Sequence, residues 1–308
     1  MVHNRQLAAW ICAASSLCLA HSAGRLSWYA AALCALTVGL ILLYIMYRAP
    51  RGGLSTAYRA ALGERAGGIL RLLSTVWTAL MTGFAAALTA EAFPMVQAAP
   101  MVPLTVLFLS AWACHGGAKI GARTAAVLLP LLAVFYLCIA AFGCKEITQQ
   151  TWQRTDFDLR ALCVLQLPLG AILLPPGDGR VHPGRWIAAL GAAATVLSLV
   201  ALPWGGLDRT VMSISVFGVM ERFEAMLCAA MATGGVCLCT LLGSAGITQV
   251  GEKRKGGETL FWLLAMVGFA LTDRQNTAVL FAGNLTFWVI LPLLALVVAN
   301  AKKDEKRC

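Results

Sequence analysis

Hydroxyl and thiol side chains recur at helical spacing in two apolar segments of the chain. In the first segment four threonines are three, four and seven residues apart, and in the second the spacings are four, three and four. Residues at these spacings share one face of a helix. Such a face can bind the amino or carboxyl group of a ligand, or it can let transmembrane helices approach closely. The two sets are Thr75, Thr78, Thr82 and Thr89, and Thr233, Cys237, Thr240 and Ser244.

A third segment combines a polar amide with residues that interrupt a helix. The sequence LRALCVLQLPLGAILLPPGDG places Gln166 beside Pro168 and Gly170 in an apolar run. Proline removes a backbone donor, so we expect the helix to break here, and a broken backbone in a membrane must line a cavity or be covered by other helices. Gln166 is suited either to cap the freed carbonyls or to contact a ligand. The predicted ligand-binding residues are Ser15, Ser16, Thr78, Thr82, Gln166, Gly170, Thr233, Cys237 and Thr240.

The composition places these segments in a membrane. Of the 308 residues, 59% are hydrophobic and 12% are charged, and the mean hydropathy is +0.77. Soluble domains are about a quarter charged, so we predict an all-α integral membrane protein in a single polytopic domain, 1–308. A spanning helix needs about 20 mostly apolar residues. About ten spans are predicted, at 6–22, 28–48, 69–92, 102–114, 121–143, 159–174, 185–203, 222–246, 259–272 and 278–300.

The basic residues predict how the spans are oriented and grouped. Most of the 24 lysines and arginines fall in connections that share one side, which predicts that both termini are cytoplasmic. The first and sixth spans are short, and the sixth is interrupted. Because a broken first helix in each half is typical of inverted-repeat transporters, we predict a LeuT-like five-plus-five fold. Its repeats cover about 1–145 and 155–300, followed by a charged tail, 301–308.

The remaining polar residues argue against several classes of function. No charged residue lies near the middle of a predicted span, so neither a proton relay nor a pair of catalytic acids is expected there. Most of the 11 cysteines lie in apolar segments as small hydrophobic residues, without a CxxC pair. The net charge of +10 arises between spans rather than on a polar surface with aromatic residues. We therefore expect no enzymatic activity, no metal, no cofactor and no nucleic-acid partner.

A compact charged group opens the eighth predicted span. It consists of Glu221, Arg222, Phe223 and Glu224. Acidic residues in the first turn of a helix interact favourably with its dipole, by about 0.3–1 kcal/mol each. We interpret these four residues as a structural hinge or a partner contact, ahead of direct ligand contact. The preceding residues, 213–220, are predicted to form an outer surface helix that covers the pocket.

Four stretches carry a resemblance to a known family. They are NRQLAAWICAASS, LGERAGGILRLLSTVWTALMTGFAAALTAEAF, GGAKIGARTAAVLLPLL and, most specifically, FGVMERFEAML. With them, the chain resembles the spore germination receptor B-subunit family (GerAB type) of the amino acid–polyamine–organocation transporter superfamily. The chain departs from that family in its first span, where Ala14, Ser15 and Ser16 replace the expected glycine of an unwound segment.

The resemblance implies both a fold and a function. The fold is the ten-helix LeuT-like one, and the function is that of a membrane subunit of a nutrient germinant receptor in the spore inner membrane. Such a subunit binds a small nutrient, typically an amino acid, and acts with an A-type subunit and a C-type lipoprotein subunit. Two alternatives remain open at this point: an amino-acid permease of the same superfamily, and a degenerate scaffold subunit that has lost ligand binding.

Overall fold

The computed structural model describes residues 2–50, 52–91, 101–155, 157–175, 183–216, 223–250, 256–272 and 276–305. This described part is almost entirely helical and contains no β-strand. The first half contains α1 (Asn4–Ser22), α2 (Trp28–Arg48), α3 (Leu54–Ala90), α4 (Met101–His115) and α5 (Ala118–Gly143). The second half contains α6 (Gln149–Gln153), α7 (Leu159–Gln166), α8 (Pro183–Ala201), α9 (Leu207–Val216), α10 (Phe223–Val250), α11 (Gly257–Ala270), α12 (Thr277–Leu285) and α13 (Leu291–Glu305).

Length and composition mark most of these helices as membrane spans. Six stretches are long and apolar enough to cross a bilayer: Trp28–Arg48, Leu54–Ala90, Ala118–Gly143, Gly184–Trp204, Phe223–Val250 and Thr277–Lys302. Three shorter apolar helices accompany them, at Met101–His115, Leu159–Leu173 and Gly257–Ala270. The helix α1 is less apolar, but the surrounding helices bury most of its length. The prediction of an all-α, multi-pass membrane protein is confirmed.

The sixth span breaks where proline and glycine predicted a break. The helix α7 ends at Gln166, and the chain continues as a tight 3-10 helix over Leu167–Leu173 with Pro168 in its first turn. All seven residues of this 3-10 helix are buried. The interrupted backbone is therefore covered by neighbouring helices, as a nonaqueous surrounding requires. We call Gln166–Gly170 the span-six break.

The first span is short but unbroken. α1 runs for 19 residues through Ser15 and Ser16 without a change of backbone conformation. An inverted-repeat pattern with a break in both first helices therefore applies here only to the second half.

The long helix α3 is two helices joined at a sharp corner. Gly63 has φ 82° and ψ 177°, a conformation that favours glycine, and it separates residues 54–62 from the spanning part. A Cβ placed on Gly67 would lie 2.7 Å from the Tyr58 carbonyl oxygen, so the short helix folds back against the start of the span. We call residues 54–62 the inner lid. By the predicted orientation, the end of the bundle where α1 begins is the inner end, and the end where it finishes is the outer end.

The connection before α10 lies partly outside the described residues. α9 begins at Leu207, earlier than the predicted surface helix at 213–220, and its described part ends at Val216. Glu221 and Arg222, which we interpreted as structural or partner contacts, lie outside the described residues. The description resumes at Phe223, the first residue of α10.

Candidate functional site

The two predicted serines of α1 lie at a close contact with α10. Both are buried, and their hydroxyls donate to carbonyls of α1 itself: Ser15 to Ile11 (2.7 Å) and Ser16 to Ala13 (2.6 Å). A Cβ placed on Gly234 of α10 would lie 2.7 Å from Ser16 Oγ. In this conformation the serines allow two helices to approach closely.

The threonines of α3 show the same local bonding with one additional contact. Thr78 donates to the Ser74 carbonyl (2.8 Å) and Thr82 to the Thr78 carbonyl (2.8 Å), a common arrangement for hydroxyls inside helices. The Thr78 hydroxyl also accepts a hydrogen bond from Trp288 Nε1 at 3.2 Å. Thr82 faces α10, where the Cys239 thiol approaches its carbonyl oxygen at 3.6 Å.

Trp288 joins the hydroxyl face of α3 to the span-six break. It is fully buried and lies in a π-helical turn, Thr286–Ile290, between α12 and α13. A Cβ placed on Gly170 would meet the indole ring at 3.3 Å and would overlap Leu242 of α10. Only glycine therefore allows the 3-10 helix to pack this closely. Thr78, Gly170 and Trp288 form one packed group, and the indole fills the space between the two predicted site residues.

The predicted polar face of α10 is directed mainly at other helices. Trp10 of α1 donates to the Cys237 carbonyl at 3.0 Å. Thr240 lies against α4 and α5: a Cβ on Gly121 would be 3.0 Å from its methyl group, and the Cys114 thiol approaches its carbonyl at 3.5 Å. Thr233 is half-buried. These residues form helix contacts, whereas Leu242 is the α10 side chain that contacts Gly170.

Two buried glutamines flank the 3-10 helix of span six, and only one of them caps it. Gln249 at the inner end of α10 donates from Nε2 to the carbonyl of Leu173. This is the capping role that the sequence suggested for Gln166. Gln166 is also buried, at 8% exposure, and its Oε1 accepts no hydrogen bond within the described structure. A buried carbonyl oxygen without a donor costs free energy. Gln166 is therefore the predicted site residue whose side-chain oxygen could accept a further hydrogen bond.

The described part of the charged group before α10 contributes packing. Phe223 is buried and stacks on Phe135 of α5, with ring centroids 5.8 Å apart, and it meets Phe142 edge to face at 6.4 Å. Glu224 is exposed in the first turn of α10, where a carboxylate interacts favourably with the helix dipole. Phe223 thus attaches the outer start of α10 to α5.

A buried asparagine that is not among the predicted site residues connects three spans. Asn284 of α12 is fully buried; its Oδ1 accepts from Trp77 of α3 (3.1 Å) and its Nδ2 donates to the Cys163 carbonyl of α7 (3.4 Å). The sequence Asn284-Leu-Thr also matches a glycosylation acceptor pattern, and the burial of Asn284 makes it inaccessible as an acceptor. The available signal was a lone amide inside an apolar span, which needs partners on neighbouring helices.

A cluster of charges connects three spans at the outer end. Glu91, just beyond the last residue of α3, contacts Arg160 of α7 (2.7 Å), Arg25 after α1 (3.3 Å) and His21 in the last turn of α1 (3.2 Å). Arg25 Nη1 also lies 3.1 Å from His21 Nε2. A neutral imidazole satisfies both contacts, because Nδ1–H donates to Glu91 while Nε2 accepts from Arg25. We call these four residues the outer cluster.

The outer cluster stabilises the charged form of Glu91. Burial alone would raise the pKa of this carboxyl, but its interactions with His21, Arg160 and Arg25 outweigh that effect and lower the pKa to about 2. Glu91 is therefore ionised at any physiological pH. Beside the cluster, the Ser22 hydroxyl of α1 donates to the Ala161 carbonyl of α7 at 3.1 Å.

The inner end is closed by packing and by a single lysine. A Cβ on Gly53, which precedes the inner lid, would lie 3.3 Å from Pro175, so the lid begins against the end of span six. The Tyr58 hydroxyl faces the Ser74 hydroxyl, although neither makes a hydrogen bond of ordinary geometry in the part described. Lys302 Nζ donates to the Ala61 carbonyl at 2.7 Å. The inner lid is thus held at its beginning by packing and at its end by Lys302.

Comparison with solved structures identifies the architecture. The chain is similar to Mhp1, a transporter of the nucleobase-cation-symport-1 family in a closed conformation with bromovinylhydantoin bound. The TM-score is 0.60 at 14% sequence identity, and the alignment covers 93% of this chain and 75% of Mhp1. This chain has the LeuT-like transporter fold. The fold-class prediction is confirmed.

A second solved structure is less similar, and the sequence comparisons found no match. An inward-facing conformation of Mhp1 aligns with a TM-score of 0.49 at 13% identity, over 96% of this chain and 74% of Mhp1. No family model and no curated protein sequence matches the chain. The resemblance to the spore germination family consequently depends on the sequence stretches quoted above.

Proposed function

We propose that this chain is a membrane subunit of a spore nutrient germinant receptor. In this proposal it binds a small nutrient, an amino acid in the first instance, and transmits binding to A-type and C-type partner subunits. It lies in the spore inner membrane with both termini in the cytoplasm. Support comes from the family resemblance, with FGVMERFEAML as its most specific stretch, and from a fold shared with a small-molecule transporter.

The observation that carries ligand binding is the unpaired carbonyl oxygen of Gln166. It lies at the span-six break, in one of the two spans that form the ligand site in the family the chain resembles. An amino group of a ligand could donate to this oxygen. Since Trp288 fills the space between Thr78 and Gly170 in this conformation, binding would require movement of the indole or of the 3-10 helix.

Sensing is favoured over proton-driven transport by the placement of charge. Along the described spans, ionisable acidic and basic side chains lie near helix ends, such as Arg71 and Glu91 on either side of the α3 span. A proton-coupled transporter generally carries an ionisable group within the membrane. A permease remains the second candidate because Mhp1 is a transporter.

The proposal is tested by germination of spores that carry variants of this chain. Spores lacking the gene are complemented with wild type, Gln166→Leu or the exposed-amide control Gln150→Leu, and are exposed to a panel of amino acids. We expect Gln166→Leu to raise the half-maximal nutrient concentration by about tenfold or more, as expected when a buried polar partner of a ligand is lost. Gln150→Leu should behave as wild type.

Two other outcomes would assign a different function. Normal responses of Gln166→Leu spores to every amino acid, with the A-type and C-type subunits still assembled, would indicate a scaffold without ligand binding. The self-bonded hydroxyls of Ser15 and Ser16 are consistent with that alternative. Saturable uptake of a labelled amino acid into vesicles that contain this chain alone would indicate a permease.

A further inference from the structure

The outer cluster is the only place where the described structure brings one carboxylate into contact with basic side chains from two other helices or their ends. Its members come from three separate parts of the chain, since His21 and Arg25 belong to α1 and its following turn, Glu91 to α3 and Arg160 to α7. Each of these parts leads directly into a segment of the predicted site. The cluster therefore connects the outer ends of three helices that each carry predicted site residues.

Local hydrogen bonds position the members of the outer cluster. Asp158 caps α7 by accepting from the backbone amide of Arg160 at 2.8 Å, which positions the arginine at the helix start. Ser22 and Ala161 add a neutral hydrogen bond between α1 and α7 on the same side. Glu91 is the common acceptor, because its two oxygens divide the partners: Oε1 takes Arg160, and Oε2 takes His21 and Arg25.

We propose that the outer cluster is a latch, with Glu91 as its central residue, that holds the outer mouth of the bundle closed. Releasing Glu91 removes the shared acceptor, so α3 loses its charged contacts with α1 and α7 at once. Charge-assisted hydrogen bonds of this kind are stronger than neutral ones, yet the cluster is partly exposed, so an approaching solute or partner can compete for its groups. The latch goes beyond the proposed function, because closure can be measured without a known ligand.

Native cysteines report on the state of the latch. Cys18 lies one turn below the cluster on α1 and is 1% exposed, so it is protected while the mouth is closed. Cys144 is exposed at the same end of the bundle, next to Gly143, which contacts Val200 near α9. Cys114 is buried at the inner end of α4. Cys18 is thus the reporter for the latch, Cys144 is the reference for labelling at an exposed site, and Cys114 is the reference for general unfolding.

The experiment measures labelling of each cysteine in the full chain. Wild type, Glu91→Gln and Arg160→Gln proteins are placed in lipid nanodiscs, treated with a charged thiol reagent and analysed by peptide mass spectrometry. We expect the labelling rate of Cys18 to rise about tenfold in Glu91→Gln and less in Arg160→Gln, which leaves Glu91 paired with Arg25 and His21. The rates at Cys144 and Cys114 should not change.

Controls distinguish an opened latch from a damaged protein. Glu224→Gln removes another outer carboxylate, one that is exposed and outside the cluster, and should leave Cys18 protected. Unchanged labelling of Cys18 in both single variants would overturn the proposal. So would a rise that Glu224→Gln or Cys114 reproduces to the same extent.

Discussion

The two ends of the bundle are closed by different chemistry. At the outer end, Glu91 joins α1, α3 and α7 through two arginines and a neutral histidine at 2.7–3.3 Å. At the inner end, the inner lid packs against Pro175, buries the Tyr58 ring and is bonded by the Lys302 ammonium at one backbone carbonyl. Loss of the Glu91 charge alone would release the outer contacts, whereas packing contacts at the inner end must be lost one after another. The two ends therefore differ in what must change for them to open: one carboxylate at the outer end, and packing with one lysine contact at the inner end.

Among changes to polar groups, the largest expected effect comes from titrating Glu91. Its pKa is lowered from 4.5 to about 2, so the folded state favours the ionised form. The resulting stability is fully present above pH 4.5 and is lost as the pH falls from 4.5 towards 2. A shift of this size corresponds to about 3 kcal/mol of unfolding free energy. Thermal unfolding of purified protein between pH 7 and pH 2 measures this loss.

The variant Glu91→Gln serves as the control for that titration. It should be less stable than wild type at pH 7 by a similar amount, because Arg25 and Arg160 lose their shared counter-charge. The difference between the two proteins should become small near pH 2, where about half of the wild-type carboxyl is protonated in the folded state. A constant difference between them over the whole pH range would contradict the assignment of the effect to this carboxyl.

A smaller effect is expected at the inner end of span six. Gln249→Leu removes the donor to the Leu173 carbonyl, but it also removes Oε1, a buried oxygen with no described partner. The loss of one hydrogen bond is partly offset by the loss of an unsatisfied polar atom, so we expect a destabilisation of about 1 kcal/mol, independent of pH. Chemical or thermal unfolding in detergent measures it. A loss that equals or exceeds that of Glu91→Gln would show that the inner end is not the weaker attachment.

Several elements of the fold were predictable because they depend on local sequence. Apolar runs of sufficient length indicate spans whatever they pack against, and Pro168 interrupts a helix in any context. The break at Gln166 therefore agrees with the structure to within a residue or two. The corner at Gly63 was harder to predict, because it lies in a segment with good helical character on both sides.

The contacts within the candidate site were less predictable because they depend on which helices meet. Spacing placed Thr78 on a common face with Thr82, but it could not reveal that Trp288, far along the chain, would bond to Thr78 and fill the space beside Gly170. The same limitation concealed the outer cluster. Glu91 and Arg160 each look like an ordinary charge at a helix end, and only the tertiary structure brings them to 2.7 Å.

The smallest expected effect lies within the inner lid and tests whether its polar groups contribute at all. Tyr58 is fully buried, and its hydroxyl makes no hydrogen bond of ordinary geometry in the part described. Removing a buried, unsatisfied hydroxyl while keeping the ring should be neutral or slightly stabilising, by about 0–1 kcal/mol. Tyr58→Phe is compared with Tyr58→Ala, which removes the ring and should destabilise by about 3–5 kcal/mol if the site cannot collapse. Thermal unfolding of both variants gives the comparison. A clear loss of stability in Tyr58→Phe would mean that Tyr58 and Ser74 form a hydrogen bond in the membrane, and that polar bonding as well as packing holds the inner end closed.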